Sequence, residues 1–175
     1  LSAERLHAKL KPKLAPEEAQ SLERATRTIV AQVTALKNMV DEFRDYARLP
    51  APRLEALDLN ALIREVTALY DHAAVRPELR LQEDLALVSG DRNQLRQVVH
   101  NLLQNAQDAL AGRPLPRVEI GTEMAGERVC LCVSDNGSGF PEAIIKRAFE
   151  PYVTTKPKGT GLGLAIVKKI IDEHH

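Results

Sequence analysis

DNGSGFPEAIIKRAFEPYVTTKPKGTGLGL (Asp135–Leu164) is the stretch that decides how this chain folds. Its first six residues close an alternating run, ERVCLCVSD (Glu127–Asp135), with an acid and a turn that holds Gly137 and Gly139. Glycines there can take positive φ and let a flat ligand approach the backbone. A carboxylate at Asp135 would accept from an exocyclic amine such as that of adenine, although an ordinary Asp-Asn-Gly turn has the same letters. At the far end, GTGLGLA (Gly159–Ala165) places three glycines in a loop that opens a helix, where free amides and the helix dipole favour phosphate oxygens. The motif is neither GxGxxG after a first strand nor GxxxxGK[ST], which sets aside the Rossmann and P-loop readings. Lys156 and Lys158, in the polar segment before it, are placed to neutralise phosphate charge.

Upstream, NLLQNAQDA (Asn101–Ala109) belongs to a helix predicted over about 92–111, capped by Asp91 and ending near Gly112. Asn101, Asn105 and Asp108 fall at i, i+4 and i+7 and share one face, with Leu102, Leu103, Ala106 and Ala109 opposite. Carboxamides stacked on an otherwise apolar helix are costly to bury without partners. An amide oxygen from Asn105 would suit magnesium, which takes oxygen ligands and bridges phosphates. Capping or solvent-exposed amides would read the same way.

The elements around these motifs alternate in type. Asp58 or Asn60 caps a helix over roughly 60–74. LRLQEDLAL (Leu79–Leu87) alternates like a strand, and RVEIGTEM (Arg117–Met124) pairs with Glu127–Asp135 as a hairpin through Ala125-Gly126. Pro141 opens a short helix, and the last helix starts in GLGLAIVKKIIDEHH. The order predicts an α+β fold: a two-layer α/β sandwich, one helical layer over one sheet with antiparallel neighbours.

A helical segment precedes it. Residues 1–11 read as a helix broken by KPKLAP (Lys11–Pro16), and Glu17 to about Arg48 contains neither Gly nor Pro. Leu22, Ile29, Val33, Leu36, Val40, Phe43 and Ala47 follow a narrow coiled-coil seam that a partner helix should cover, first the short helix and then a second copy of the chain. The predicted organisation is a helical-hairpin stalk over 1–50, a proline-containing linker over 51–57 and an α/β domain over 58–175.

Composition narrows the partners. Lys and Arg balance Asp and Glu at 24 each, and aromatics are 3% of 175 residues, which argues against nucleic acid. No apolar run approaches the roughly 20 residues that cross a bilayer, so the chain is expected to be soluble and cytoplasmic. Cys130 and Cys132 read as small buried or half-buried thiols, poorly spaced for a bridge and without the further ligands of a metal site.

Taken together and in order, NLLQNAQDA, DNGSGF, FEPYVTTK and GTGLGLA resemble the N, G1, F and G2 boxes of the ATP-binding domain of bacterial sensor histidine kinases, which has the Bergerat or GHKL fold of gyrase-type ATPases. MVDEFRDYARLPAP (residues 39–52) resembles the second stalk helix and linker of nitrogen-regulation kinases, the NtrY type most closely. The resemblance implies ATP and Mg²⁺ as cofactors, with Asn105 as the metal ligand and Asn101 beside it on the phosphate side. It implies that Asp135 binds the adenine amine, that Gly137 and Gly139 shape its pocket, and that Asp108 belongs to the nucleotide-binding set. Thr155, Lys158, Gly159, Thr160, Gly161, Leu162 and Gly163 would surround the phosphates, with Lys156 in the lid and Phe149 anchoring the lid's start. Catalytic work would fall to Asn101, Asn105 and Lys156.

In this family the phosphate acceptor lies in an HExxxP segment on the first stalk helix, and this chain has no His-Glu dipeptide; its histidines are His7, His72, His100, His174 and His175. The acceptor is therefore expected before Leu1 and further strands after the last helix, within a longer and membrane-anchored parent. In related ATPases a Glu at the start of the N box activates water, and Asn101 in its place cannot act as a base. The expected activity is transfer of the ATP γ-phosphate to a histidine and on to a response-regulator aspartate, in a homodimer. A nucleotide-switched ATPase of the gyrase type and a nucleotide-binding scaffold without kinase activity are the alternatives.

Overall fold

The computed structural model describes residues 2–71, 73–156 and 159–174; Leu1, His72, Pro157, Lys158 and His175 lie outside that set. The chain divides into two compact units, Leu1–Ala47 and Arg48–His175. In the first, α1 (Ser2–Leu10) runs into a 3₁₀ turn (Lys11–Lys13) and then α2 (Pro16–Ala47), which α1 packs against. Pro16 occupies a first-turn position where its missing amide costs nothing, and Glu17 and Glu18 complement the helix dipole. Lys11 Nζ reaches Glu23 at 2.9 Å and ties the turn to α2. Ile29, Val33, Leu36, Val40 and Phe43 are each more than half exposed, so the seam of α2 is uncovered within this unit.

The second unit contains β1 (Glu55–Leu57), α3 (Leu59–Ala68), β2 (Glu78–Leu81), β3 (Val88–Gly90), α4 (Arg92–Ala109), β4 (Val118–Ala125), β5 (Arg128–Asp135), α5 (Glu142–Ile145) and α6 (Gly163–Glu173). Its architecture is α+β, with helices packed over a sheet. Leu62 and Ile63 of α3, Val99 and Leu103 of α4 and Ile170 of α6 meet Val118 and Ile120 of β4 in a core without exposed surface. Asn60 is buried with them and bonded at both ends of its amide: the nitrogen donates to the Gln82 carbonyl at 2.8 Å, and Oδ1 accepts from Thr122 Oγ1 at 2.7 Å. The cap of α3 is Asp58, which accepts from Ala61 N at 2.9 Å.

Several expectations need correction. The sheet is not wholly antiparallel: its order is β2-β4-β5, with β2 parallel to β4 (Leu79 opposite Ile120) and β5 antiparallel to it (Ile120 opposite Val133). Of the strand expected over 79–87 only the first three residues are extended, as part of β2; Asp84 takes a left-handed φ of 55° and turns the chain, and the next strand, β3, starts at Val88 in a different sheet. β3 pairs with β1 in a separate two-stranded ribbon, and β1 itself lies within the stretch expected to be linker. The helix predicted to reach 74 stops at Ala68, where Leu69, Tyr70 and Asp71 donate only three residues back and tighten the last turn. Cys130 and Cys132 are free and exposed rather than buried. They lie opposite Glu123 and Gly121, on the sheet face turned away from Val118, Ile120 and the helices.

Candidate nucleotide site

α4 forms the wall on which the predicted elements meet. Its start is fixed by Asp91, whose Oδ1 caps the helix by accepting from Asn93 N and Gln94 N at 2.9 and 3.1 Å. Oδ2 of the same residue accepts from Arg53 N at 2.9 Å. That bond, with the cap amides and the nearby His174 imidazole, holds the carboxyl below the usual range despite some burial. His174 Nε2 accepts from Asp91 N at 2.9 Å and its Nδ1 lies 2.7 Å from the Ile170 carbonyl, so the end of α6 is tied to the start of α4.

The outward face of α4's last turns carries Asn101, Asn105 and Asp108, as the spacing predicts. Asn101 donates to the Gly163 carbonyl at 3.3 Å, and an added Cβ on Gly163 would lie 3.7 Å from Asn105 Nδ2. The start of α6 therefore abuts this face. That start has no side-chain cap: Leu162 precedes it, and Leu162's own amide donates to Thr160 Oγ1 at 3.3 Å. Uncapped amides beside two carboxamides form a surface suited to an anion.

The turn after β5 hangs from the opposite end of the same helix. Ser138 N donates to the Ala109 carbonyl at 3.2 Å, and Asp135 Oδ1 accepts from Gly137 N at 2.8 Å, leaving the carboxylate further acceptor capacity. A Cβ on Gly137 would stand 2.7 Å from the Ala109 carbonyl oxygen, so only glycine lets the turn lie this close. Asn136 clamps the turn from outside: its Oδ1 accepts from Arg117 N at 2.8 Å and its amide donates to the Leu115 carbonyl at 2.9 Å. Arg113 donates to the Gly137 carbonyl at 3.1 Å. Asn136 and Arg113 were not singled out from the sequence; the one visible signal was Asn136 inside the DNG triplet.

The segment between α5 and α6 closes on a narrow neck. Tyr152 N donates to the Gly161 carbonyl at 3.0 Å, Gly161 has a φ of 71°, and a Cβ there would stand 2.6 Å from the Tyr152 carbonyl carbon. Tyr152 itself takes a φ of 66°, uncommon for a bulky residue. Beyond the neck, Lys156 Nζ donates to Asn105 Oδ1 at 2.8 Å and to Asp108 Oδ2 at 2.7 Å. Asn101, Asn105, Asp108, Lys156 and Gly163 are thus drawn together, with the Gly137 turn at the end of the same helix.

Other predicted residues lie elsewhere. Gly139, with a φ of 67°, is exposed at the turn's tip, and Thr155 is exposed. Phe149 is half exposed at the rim of an apolar groove of about 640 Å³, lined by Leu95, Val98 and Leu102 of α4, Val167 and Ile171 of α6 and Leu131 of β5. Lys158 lies outside the described residues. Among the described residues no cluster of three or more His, Cys, Asp or Glu side chains can hold a metal ion. A magnesium ion would suit Asn105 Oδ1, an oxygen already positioned to hold a cation, with phosphates and waters as its other ligands. No helix of the described residues is long and apolar enough to cross a membrane.

Residues 90–175 match the family described as histidine kinase-, DNA gyrase B-, and HSP90-like ATPase. The chain is 36% identical over 99% of its length to a putative NtrY-like sensor histidine kinase of Rickettsia conorii, of which it covers 29%. It is also 36% identical to the nitrogen regulation protein NtrY of Azorhizobium caulinodans, of which it covers 23%. The chain therefore spans less than a third of the length of each of these two relatives. Among solved structures, the nucleotide-free catalytic domain of histidine kinase ThkA superposes with a TM-score of 0.63 at 33% identity, over 70% of this chain and 82% of that one. A structure of the same kinase in complex with the response regulator TrrA gives 0.73 at 27% identity, over 99% of this chain and 50% of that one. The chain belongs to the sensor histidine kinases, and its residues 90–175 match the histidine kinase-, DNA gyrase B- and HSP90-like ATPase family.

Proposed function

We propose that this chain binds ATP between the outward face of α4, the Asp135 turn and the start of α6, and directs the γ-phosphate to a histidine. The observation that carries the reading is the convergence of three sequence-distant elements on one helix: Asn101 on Gly163, Lys156 on Asn105, and the Gly137 turn on Ala109. Asp135 accepts the adenine amine, while the amides that open α6 receive phosphate oxygens. When bound at Asn105, Mg²⁺ neutralises developing charge on the phosphates. Asn101 aligns the Gly163 carbonyl and, lacking a basic group, activates no water. Phosphoryl transfer depends chiefly on positioning and charge neutralisation, so such a site needs no covalent group of its own.

The stalk residues 1–50 pair with a second copy through the α2 seam, and residues 58–175 form the catalytic part. The parent is read as a membrane-anchored, nitrogen-related sensor kinase with a response-regulator receiver domain as its partner. The test mixes this chain with a longer form that contains the acceptor and carries Asn105→Asp, then adds γ-labelled ATP and Mg²⁺. Acid-labile, base-stable label on the longer form is expected. Phosphate release without labelled protein would support a gyrase-type ATPase instead, a reading that Asn101 disfavours.

A further inference from the structure

We infer that Lys156 is an internal cation that latches the lid of the free protein onto α4, occupying the Asn105 oxygen that the nucleotide's divalent ion would take and pairing with the Asp108 carboxylate beside it. The inference rests on the nucleotide reading of this site. Its first support is the doubly held ammonium group, 2.8 Å from Asn105 Oδ1 and 2.7 Å from Asp108 Oδ2. Asp108 is kept in place by Gln104, one turn back, which donates to its other oxygen at 3.2 Å. The second support is the backbone that delivers the side chain. Lys156 N donates to Thr154 Oγ1 at 3.0 Å, and the Lys156 carbonyl accepts from Gly159 N at 3.1 Å. A Cβ on Gly159 would sit 2.9 Å from Lys156 Cβ, so glycine admits the fold-back. The neck at Tyr152 and Gly161 closes the same segment at its base. Lys156 is therefore presented on a constrained loop rather than on a free tether.

The latch and the metal exclude each other. A magnesium ion binds an amide oxygen at roughly 2.1 Å, so an ammonium on the same oxygen would stand no more than about 5 Å from it. A dication and an ammonium at that separation repel strongly. Lys156 accordingly leaves α4 when the metal nucleotide enters, and its freed ammonium turns to the incoming phosphates, where it is charge-matched. One side chain then holds the lid shut in the free protein and clasps the nucleotide in the complex. Entry becomes an exchange of cations on Asn105 instead of simple occupation.

Backbone hydrogen exchange at Val153, Thr154, Thr155, Lys156, Gly159 and Thr160 tests this in the nucleotide-free protein. Lys156→Met and Asp108→Asn are expected to accelerate exchange there by roughly three- to tenfold, the range for a partly exposed pair reinforced by a second hydrogen bond. Stopped-flow binding of a fluorescent ATP analogue with Mg²⁺ gives a second readout. Asp108→Asn should associate faster than wild type by a similar factor, whereas Lys156→Met associates faster but also dissociates faster, having lost the clasp. Lid exchange unchanged in both variants would overturn the latch. Failure of the wild type to bind the analogue at any Mg²⁺ concentration would instead overturn the nucleotide reading, and the exchange comparison would still decide the latch.

Discussion

Asp135 and Gly161 show how single positions set this site. Asp135 ends β5 with one carboxylate oxygen already accepting from Gly137 N, so the side chain is oriented before any ligand arrives. Asp135→Ala removes both that bond and the acceptor for an adenine amine. ATP-analogue affinity is expected to fall at least tenfold, about 1.4 kcal/mol or more, while the thermal midpoint changes little because the residue is exposed. Titration calorimetry beside a melting curve checks both halves, and near-wild-type affinity would remove Asp135 from its assigned role. Gly161 meets two constraints at once, a positive φ and a backbone neighbour 2.6 Å from where a Cβ would sit. Gly161→Ala should therefore open the neck, raise proteolytic sensitivity around Val153 and weaken nucleotide binding several-fold. A variant as resistant as wild type would mean that the neck tolerates a side chain.

At the scale of elements, α4 is held at its start by one carboxylate with several donors. Asp91 has a depressed pKa, chiefly through the bond from Arg53 N, so its contribution is present above the ordinary carboxylate range and is lost as pH falls through the lower folded-state value. Asp91→Asn keeps a capping oxygen but places an amide donor against Arg53 N. Urea unfolding at pH 7 should show a loss of about 1 kcal/mol, and the gap to wild type should shrink below about pH 4. A gap constant from pH 7 to pH 3 would show that the charge is not involved. The elements also explain what could be read in advance. The cap at Asp91, the shared face of Asn101, Asn105 and Asp108 and the glycine turns depend on local spacing, which a sequence displays directly. The alternation of Leu79, Leu81, Leu85 and Leu87 is equally visible, but it carries no sign of the left-handed backbone at Asp84 that divides it. The parallel pairing of β2 with β4 depends on a connection passing through β3 and α4, a long-range arrangement that no local pattern encodes. Contacts between distant polar residues were hidden for the same reason. Asn136 on Leu115 and Arg117, and Lys156 on Asn105, arise only once the helices are packed.

For the molecule as a whole, the two units pose different problems. The second encloses its own core, whereas α2, a helix of 32 residues, leaves an apolar stripe from Ile29 to Phe43 exposed. Leu36, at 61% exposure, lies mid-stripe. Leu36→Glu is expected to shift the chain from dimer to monomer in sedimentation equilibrium while leaving the analogue affinity of the second unit within about twofold, because sites without shared partners behave almost additively. A dimer that persists in the variant would assign self-association to another surface.

α4 offers one more consequence, in terms of inheritance. Neighbouring positions along it answer to different demands: Leu103 and Ala106 are sealed in the core, while Asn101 meets the start of α6 and Asn105 and Asp108 meet Lys156. A drifting lineage can therefore repack the inner face through compensating apolar exchanges without disturbing the chemistry outside. It can equally retune the outer face, as an acid at position 101 would, without unsettling the fold. Such a helix lets one architecture diverge into kinases and ATPases while its scaffold persists.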